Sequence, residues 1–328
     1  MAIDFPSEIE GVRIFDTNSY RRLAHNASDE EAVRRATDLV ASERGNHIQA
    51  IASPVVLLEL LAHLGDPVDP SYANCKAAVC AAERHCRMAL DSGGTHIAIA
   101  PSTDLQLCIS LTGEWPEALV HNDDLIRAIA LRVSEDPSEQ ALGGFREDLR
   151  EVSRLAAETE RTFSEGTERY LMDNVEKSAR EMGFDGGRAD LRRAFLAYLD
   201  TPQAFEQTAE AHVLRAQDNL SLEDTPEVLG EKARFVADGF AVGIGLYLQL
   251  VKKIVESNWD LTQGKGANLL WDMQVAFLIG RDHTFADRPC AVVTGDRAIV
   301  SAAVAAGLGD AILDYGDYRS QLAEGEAA

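Results

Sequence analysis

Val12-Arg13-Ile14-Phe15-Asp16-Thr17-Asn18-Ser19-Tyr20 is the stretch whose reading decides the fold. Val12, Ile14 and Phe15 have the make-up of a short buried strand, and the acid Asp16 follows at once. Thr17, Asn18 and Ser19 bring small polar side chains where a strand would give way to a turn and helix. An open α/β sheet presents its ligand groups at the carboxyl ends of its strands. A carboxylate there suits a metal or a phosphate. It also suits the cap of the next helix. The choice turns on whether other acids stand at equivalent places.

Working outward, strand and helix patterns alternate. Apolar residues at helical spacing predict a helix over 29–44, after the capped acidic start Ser28-Asp29-Glu30-Glu31. A second strand is expected over 47–52 and a third over 95–100. Between them, Ser53-Pro54 reads as the cap and first turn of a helix over 55–64. Its one acid, Glu59, stands on an almost wholly apolar helix, where an unpaired charge is costly. It either faces solvent or reaches a cation near the strand ends. The stretch 71–90 reads as an Ala-rich helix with His85 and three cysteines that lack zinc-knuckle spacing, so packed thiols are expected. Another helix follows over 105–111, with Asp104 suited to its first-turn dipole.

Composition changes near Gly113. From 113 to 262 the chain reads as acidic and helical, with helices expected over 124–135, 144–163, 168–181, 189–199, 202–218 and 227–256. Gly239, Gly243 and Gly245 lie by the apolar run 240–251, where small residues let helices approach closely within a core. The α/β pattern then resumes. A helix is expected over 268–279 with Asp272 in its first turn, a strand over 291–294 ending in Gly295-Asp296-Arg297, a helix over 298–306 and a last strand over 311–313. The expected division is a core in two parts, 1–112 and 263–328, around a helical insertion over 113–262.

The chain has 328 residues, 46% of them hydrophobic, enough for a sizeable core. Its formal charge is −23. That argues against a non-specific nucleic-acid coat protein, which neutralises phosphates with Lys and Arg. It leaves room for an enzyme that meets nucleic acid through bound cations, and for a basic partner. Five cysteines without a compact framework point to free thiols and a reducing, cytoplasmic setting. The start lacks a basic lead and an apolar run, and the stretch 239–251 is too short to span a bilayer, so no membrane role is expected.

Four acids now stand at comparable places: Asp16 and Asp296 after strands, Glu59 and Asp272 on helices that begin near strand ends or loops. In a parallel sheet with the first and fourth strands adjacent, these carboxylates converge and repel, and a divalent cation compensates them. Oxygen-only ligands point to Mg²⁺ or Mn²⁺.

Asp16-Thr17-Asn18-Ser19, Glu59, Asp272 and Thr294-Gly295-Asp296, in that order, resemble a PIN-domain nuclease. The resemblance covers about residues 8 to 112 and 263 to 328. It implies a PIN-like α/β/α sandwich with a mostly parallel sheet, to which this chain adds a large all-α insertion. It implies metal-dependent endoribonuclease activity, hydrolysing RNA by in-line attack of water to leave a 5′-phosphate and 3′-hydroxyl. Asp16, Glu59, Asp272 and Asp296 would hold the metal, and Asn18 and Thr294 would support it or touch substrate. Lys265 and Arg297 flank the acids and are candidates for steadying the phosphate. Many relatives are toxins, so an inhibitor or antitoxin is an implied partner, and the insertion is open as lid, RNA-selecting module, oligomer interface or built-in inhibitor. Asp282, His283 and Asp287 read as a solvated loop. The Gly264-Lys265-Gly266 run lacks the spacing of a phosphate-binding loop. The rivals are a nuclease acting on DNA, a non-catalytic acidic interaction protein on the same scaffold, and a dehalogenase-type phosphatase. That last chemistry wants a second Asp where this chain has Asn18.

Overall fold

The structure is a computed structural model that describes residues 5–89, 95–161, 165, 188–257, 271, 274–279, 284–285, 287–305, 307 and 309–325. In chain order, β1 (Gly11–Phe15) runs into α1 (Thr17–Leu23) and then α2 (Asp29–Gly45). Ser28 caps α2, accepting from the Glu31 N–H. β2 (Ile48–Ile51), α3 (Pro54–Ala62) and α4 (Tyr72–His85) follow. β3 (Arg87–Ala89) and β4 (Thr95–Ile97) form an antiparallel ribbon. α5 (Thr103–Thr112) ends at Gly113, whose φ of +75° is left-handed and suits glycine.

Helices continue as α6 (Glu117–Glu135), α7 (Glu139–Gly144) and α8 (146–161). Next come α9 (Arg188–Tyr198), α10 (Pro202–Leu220), α11 (Pro226–Gly239) and α12 (Ala241–Ser257). The chain closes with β5 (Thr284–Phe285), β6 (Arg288–Thr294), α13 (Arg297–Ala305), β7 (Ile312–Asp314) and α14 (Tyr315–Gly325).

The fold is mixed α/β around a parallel sheet in the order β2-β1-β6-β7, with β5 antiparallel to the start of β6. Beyond β4 the third strand continues. Ala52 donates to the Ala98 carbonyl (2.7 Å) and accepts from the Ala100 N–H (2.8 Å), a parallel bridge on the outer side of β2. Along a strand, successive side chains point to opposite faces. The strand-end residues Ile14 and Phe15, and Ala291 to Thr294, are all buried, so both faces of the central pair are covered.

Several expected elements divide differently. The helix expected over 71–90 stops at His85. The Cys86 carbonyl accepts the Ala98 N–H at 2.9 Å, and Arg87–Ala89 pair with β4, so strand pairing overrides the helical propensity of this run. The helix expected over 227–256 is two helices bent by 90° at Phe240, whose ring lies 5.9 Å from that of Phe277. The helix expected over 144–163 breaks at Phe145. The one expected over 168–181 lies outside the described residues. Among the described residues no single helix is long and apolar enough to cross a membrane.

Among the described residues, 113–257 contain no strand. The helices there share one continuous apolar core with the sheet layers. α6 packs on α3 and α4, α10 on α5, and α12 on α13. Close approach is real at Gly243, where a Cβ would lie 2.5 Å from the Phe277 ring.

One buried polar chain fixes the position of α1. Tyr318 Oη donates to Glu43 Oε1 (2.7 Å), and Glu43 Oε2 is bonded to His85 Nε2 (2.7 Å). His85 Nδ1 meets Tyr20 Oη (3.1 Å), which also contacts Cys86 Sγ (3.1 Å). All of these side chains are buried, and all five cysteines are free thiols. The chain ties α14, α2 and α4 to α1, whose first turn carries the candidate site. Tyr318→Phe removes one donor from a buried carboxylate. It should lower stability by about 1–3 kcal/mol, read as a lower urea midpoint with an unchanged slope.

Candidate functional site

The register that pairs Phe15 with Val293 sets Asp16 beside Thr294. The Asp16 N–H continues the ladder by donating to the Val293 carbonyl (3.2 Å). Ser19 Oγ donates to the same carbonyl (3.0 Å) and fastens the first turn of α1 to β6. Asp16 is the cap of that helix, with Oδ1 accepting from the Ser19 N–H at 2.6 Å. Its Oδ2 accepts from Thr294 Oγ1, also at 2.6 Å. Thr294 in turn accepts from the Asp296 N–H (2.9 Å), so one hydroxyl links the two strand-end acids. Asp296 is half-buried, and its Oδ1 accepts from the Ile299 N–H at the start of α13.

Glu59 reaches the same edge from α3. It is 9% exposed, so it does not face solvent. Its Oε2 accepts from Thr17 Oγ1 at 2.5 Å, and its Oε1 lies 3.6 Å from Arg21 Nη2. Thr17 and Arg21 are four apart on α1 and share a face, so both reach the one carboxylate.

The positive charge at this edge, Arg21 facing Glu59 and the Arg22 guanidinium against Gly295, does not offset burial of the two inner acids. Burial holds the Asp16 carboxyl above its usual range, against the lowering effect of the Ser19 and Thr294 bonds, and Asp296 adds to the rise. Burial likewise raises Glu59, more than Arg21 and Thr17 lower it, and Asp16 contributes to that rise. Asp16 therefore feels both other acids. Ser53, expected as the cap of α3, makes no capping bond. Its hydroxyl is buried without a hydrogen-bond partner among the described residues, level with Asp16 one strand over.

The remaining expected residues are scattered. Asn18 and Arg297 are exposed at the first turns of α1 and α13. Asp272, Lys265, Asp282 and His283 lie outside the described residues. The flanks of Asp272 are anchored. Trp271 Nε1 donates to Glu160 Oε1 (3.0 Å), and the Gln274 carbonyl accepts from Thr103 Oγ1 (3.2 Å) at the start of α5. Asp104 makes a 2.7 Å ion pair with Arg215 of α10. Asp287 is exposed at a left-handed φ of +61° in the turn before β6.

Three contributors were not legible as such: Thr17, Arg21 and Ser53. A Thr and an Arg one helical turn apart, beginning right after the acid, was the signal for the first two. Among the described residues no group of three or more His, Cys, Asp or Glu is arranged to hold a metal ion. What the edge offers is oxygen: two charge-short buried carboxylates, a half-buried third and an orphaned hydroxyl. That donor chemistry fits a hard divalent cation. Compared with known proteins, the chain matches no family model, no curated protein and no solved structure.

The charge shortage has a testable sign. An acid whose native pKa is raised keeps its proton more tightly when folded, so its contribution to stability falls as pH climbs above about 4, the unfolded range. Asn at position 16 can keep the cap without the charge. In chelator, the urea midpoint of Asp16→Asn should gain on that of the parent as pH rises from that range towards neutrality. Parallel pH profiles would contradict a strained carboxylate.

Proposed function

We propose that this chain is a metal-dependent endoribonuclease on a PIN-like α/β/α scaffold, hydrolysing RNA phosphodiester bonds. The carrying observation is the bond from Thr294 to Asp16, which joins the first and fourth parallel strands at their carboxyl ends and sets Asp296 beside Asp16. β1 is also where strand order reverses, since the chain moves from β1 to β2 on one side and later returns to β6 on the other. Open α/β sheets bind ligands at such switch points.

The residues that would hold Mg²⁺ or Mn²⁺ are Asp16 and Asp296, with Asp272 as a further ligand and Glu59 completing the acid set. When bound, the cation would neutralise these carboxylates, acidify a coordinated water and stabilise charge on the phosphodiester. The protein's own part is positioning. Thr294 and Ser19 hold the Asp16 carboxylate in one orientation, leaving a lone pair on each oxygen. Thr17 and Arg21 hold Glu59. Asn18 and Arg297 stand exposed beside the acids, placed to touch ribose or phosphate. In this reading the partners are an RNA substrate and a protein inhibitor or antitoxin, with self-association as a further role for the helical stretch.

A second reading has its own observation: Asp16 and Asp296 each cap a helix, so the edge could be purely structural on a scaffold used for binding. Manganese separates the two. Purified protein should bind Mn²⁺, cleave single-stranded RNA in its presence and stop on addition of chelator. Asp16→Asn and Asp296→Asn should fold and fall to background cleavage. Full activity in either variant, or no Mn²⁺ binding by the parent, favours the structural reading. Cleavage of DNA alone would change the substrate and keep the chemistry.

A further inference from the structure

A cavity of about 490 Å³ opens between the third strand, α5 and α6. Its walls are largely apolar, with Leu105 and Ile109 from α5 and Val120 from α6. Such a size is ordinary for a small-molecule site. Its few polar groups are specific. His96 Nδ1 is buried with no hydrogen-bond partner among the described residues. Asp123 is 7% exposed, and Ser102 alone serves its carboxylate among the partners seen here, through its N–H (2.9 Å) and its hydroxyl. Burial pushes its pKa up to about 6. Arg127 is paired to Asp124 at 2.6 Å. Trp115 is 44% exposed at the lining, a large aromatic surface open to a ligand.

The chemistry selects an occupant. Asp123 and Asp124 outnumber Arg127, so the lining repels a phosphate and favours a neutral or cationic group. A buried carboxylate keeps lone pairs beyond those that Ser102 fills and accepts a further N–H, and the unpaired imidazole nitrogen asks for a polar partner. Apolar walls beside an indole ask for a flat ring. A nucleobase has all three properties.

Position adds the link to the acids. Ala52 pairs with Ile99, and Ile51 with Ile14, so Ala100 stands level with Asp16. It is two strand spacings away, about 10 Å. The cavity wall includes Ala100 and Pro101 at that level.

We propose that this cavity captures an unstacked base of a single-stranded RNA whose backbone crosses the acid edge at Asp16. The identity of the strand rests on the nuclease reading above; the fit of a base does not. The proposal also meets a difficulty posed by the charge of −23. Such a chain has little electrostatic grip on phosphates, and stacking and edge hydrogen bonds supply affinity without it.

The test uses full-length Asp16→Asn with a short fluorescent RNA, intact or carrying one abasic position near its centre. Walking that position along the strand should reveal one site where the missing base weakens binding roughly tenfold. Asp123→Asn, which preserves shape, should weaken the intact strand similarly and leave that abasic strand unchanged. Adenosine, guanosine, cytidine and uridine titrated into the parent should change tryptophan fluorescence for at least one nucleoside, and Trp115→Phe should remove the change. Equal binding of all abasic strands, or no response to any nucleoside, overturns the proposal. A nucleoside response without metal-dependent cleavage keeps the pocket and ends the nuclease reading. Cleavage with no abasic effect does the reverse. A DNA strand bound equally well means the pocket reads the base and not the sugar.

Discussion

The parallel pairing of β1 with β6 is the constraint on which the candidate site depends. Asp16 and Thr294 are 278 positions apart in the chain, yet a 2.6 Å bond joins them. That bond follows from register. Because side chains alternate in a strand, a slip of one residue would turn Thr294 to the other face and leave Asp16 without its donor. Ile14, Phe15, Val292 and Val293 are buried on both faces, so such a slip would have to repack close-fitted side chains on each side of the sheet. Packing energy in the core thus specifies the placement of polar atoms at its edge.

Two buried acid sites lie close together along α1 and are treated differently. Glu43 is supplied with a phenol and an imidazole, one on each oxygen. Its role is to join helices. Asp16 is held by neutral donors and Glu59 by Thr17, Arg21 at 3.6 Å and the more distant His63, yet burial dominates both. A buried charge left uncompensated costs more than a well-packed fold ordinarily retains. The contrast sets the sheet edge apart from the interior lock only a turn away at Tyr20.

Much of the α/β core was legible in the residues. The Val-Arg-Ile-Phe strand, the Ser28 cap and the Ala-Val-Val-Thr strand fall where alternation and capping rules place them. What escaped has a common cause: tertiary partners. The helix pattern over 71–90 could not register that the Cys86 carbonyl meets Ala98. Gly239 ends α11 although the apolar run reads on through it, and Phe240 just beyond packs on the Phe277 ring. Glu59 was visible as an anomaly, but Thr17 and Arg21, which answer it, look ordinary on their own helix. Ser53 reads as a cap by type, yet in the fold its hydroxyl caps nothing.

The lock formed by Tyr318 and Glu43 spans 275 positions. During synthesis, α1, α2 and α4 leave the ribosome long before their last partner exists. Until α14 arrives, Glu43 is a carboxylate with half its donors, and the strand that supplies Thr294 is missing too. A growing chain therefore holds its acids apart, and whatever chemistry they support waits until Thr294 and Tyr318 have both emerged.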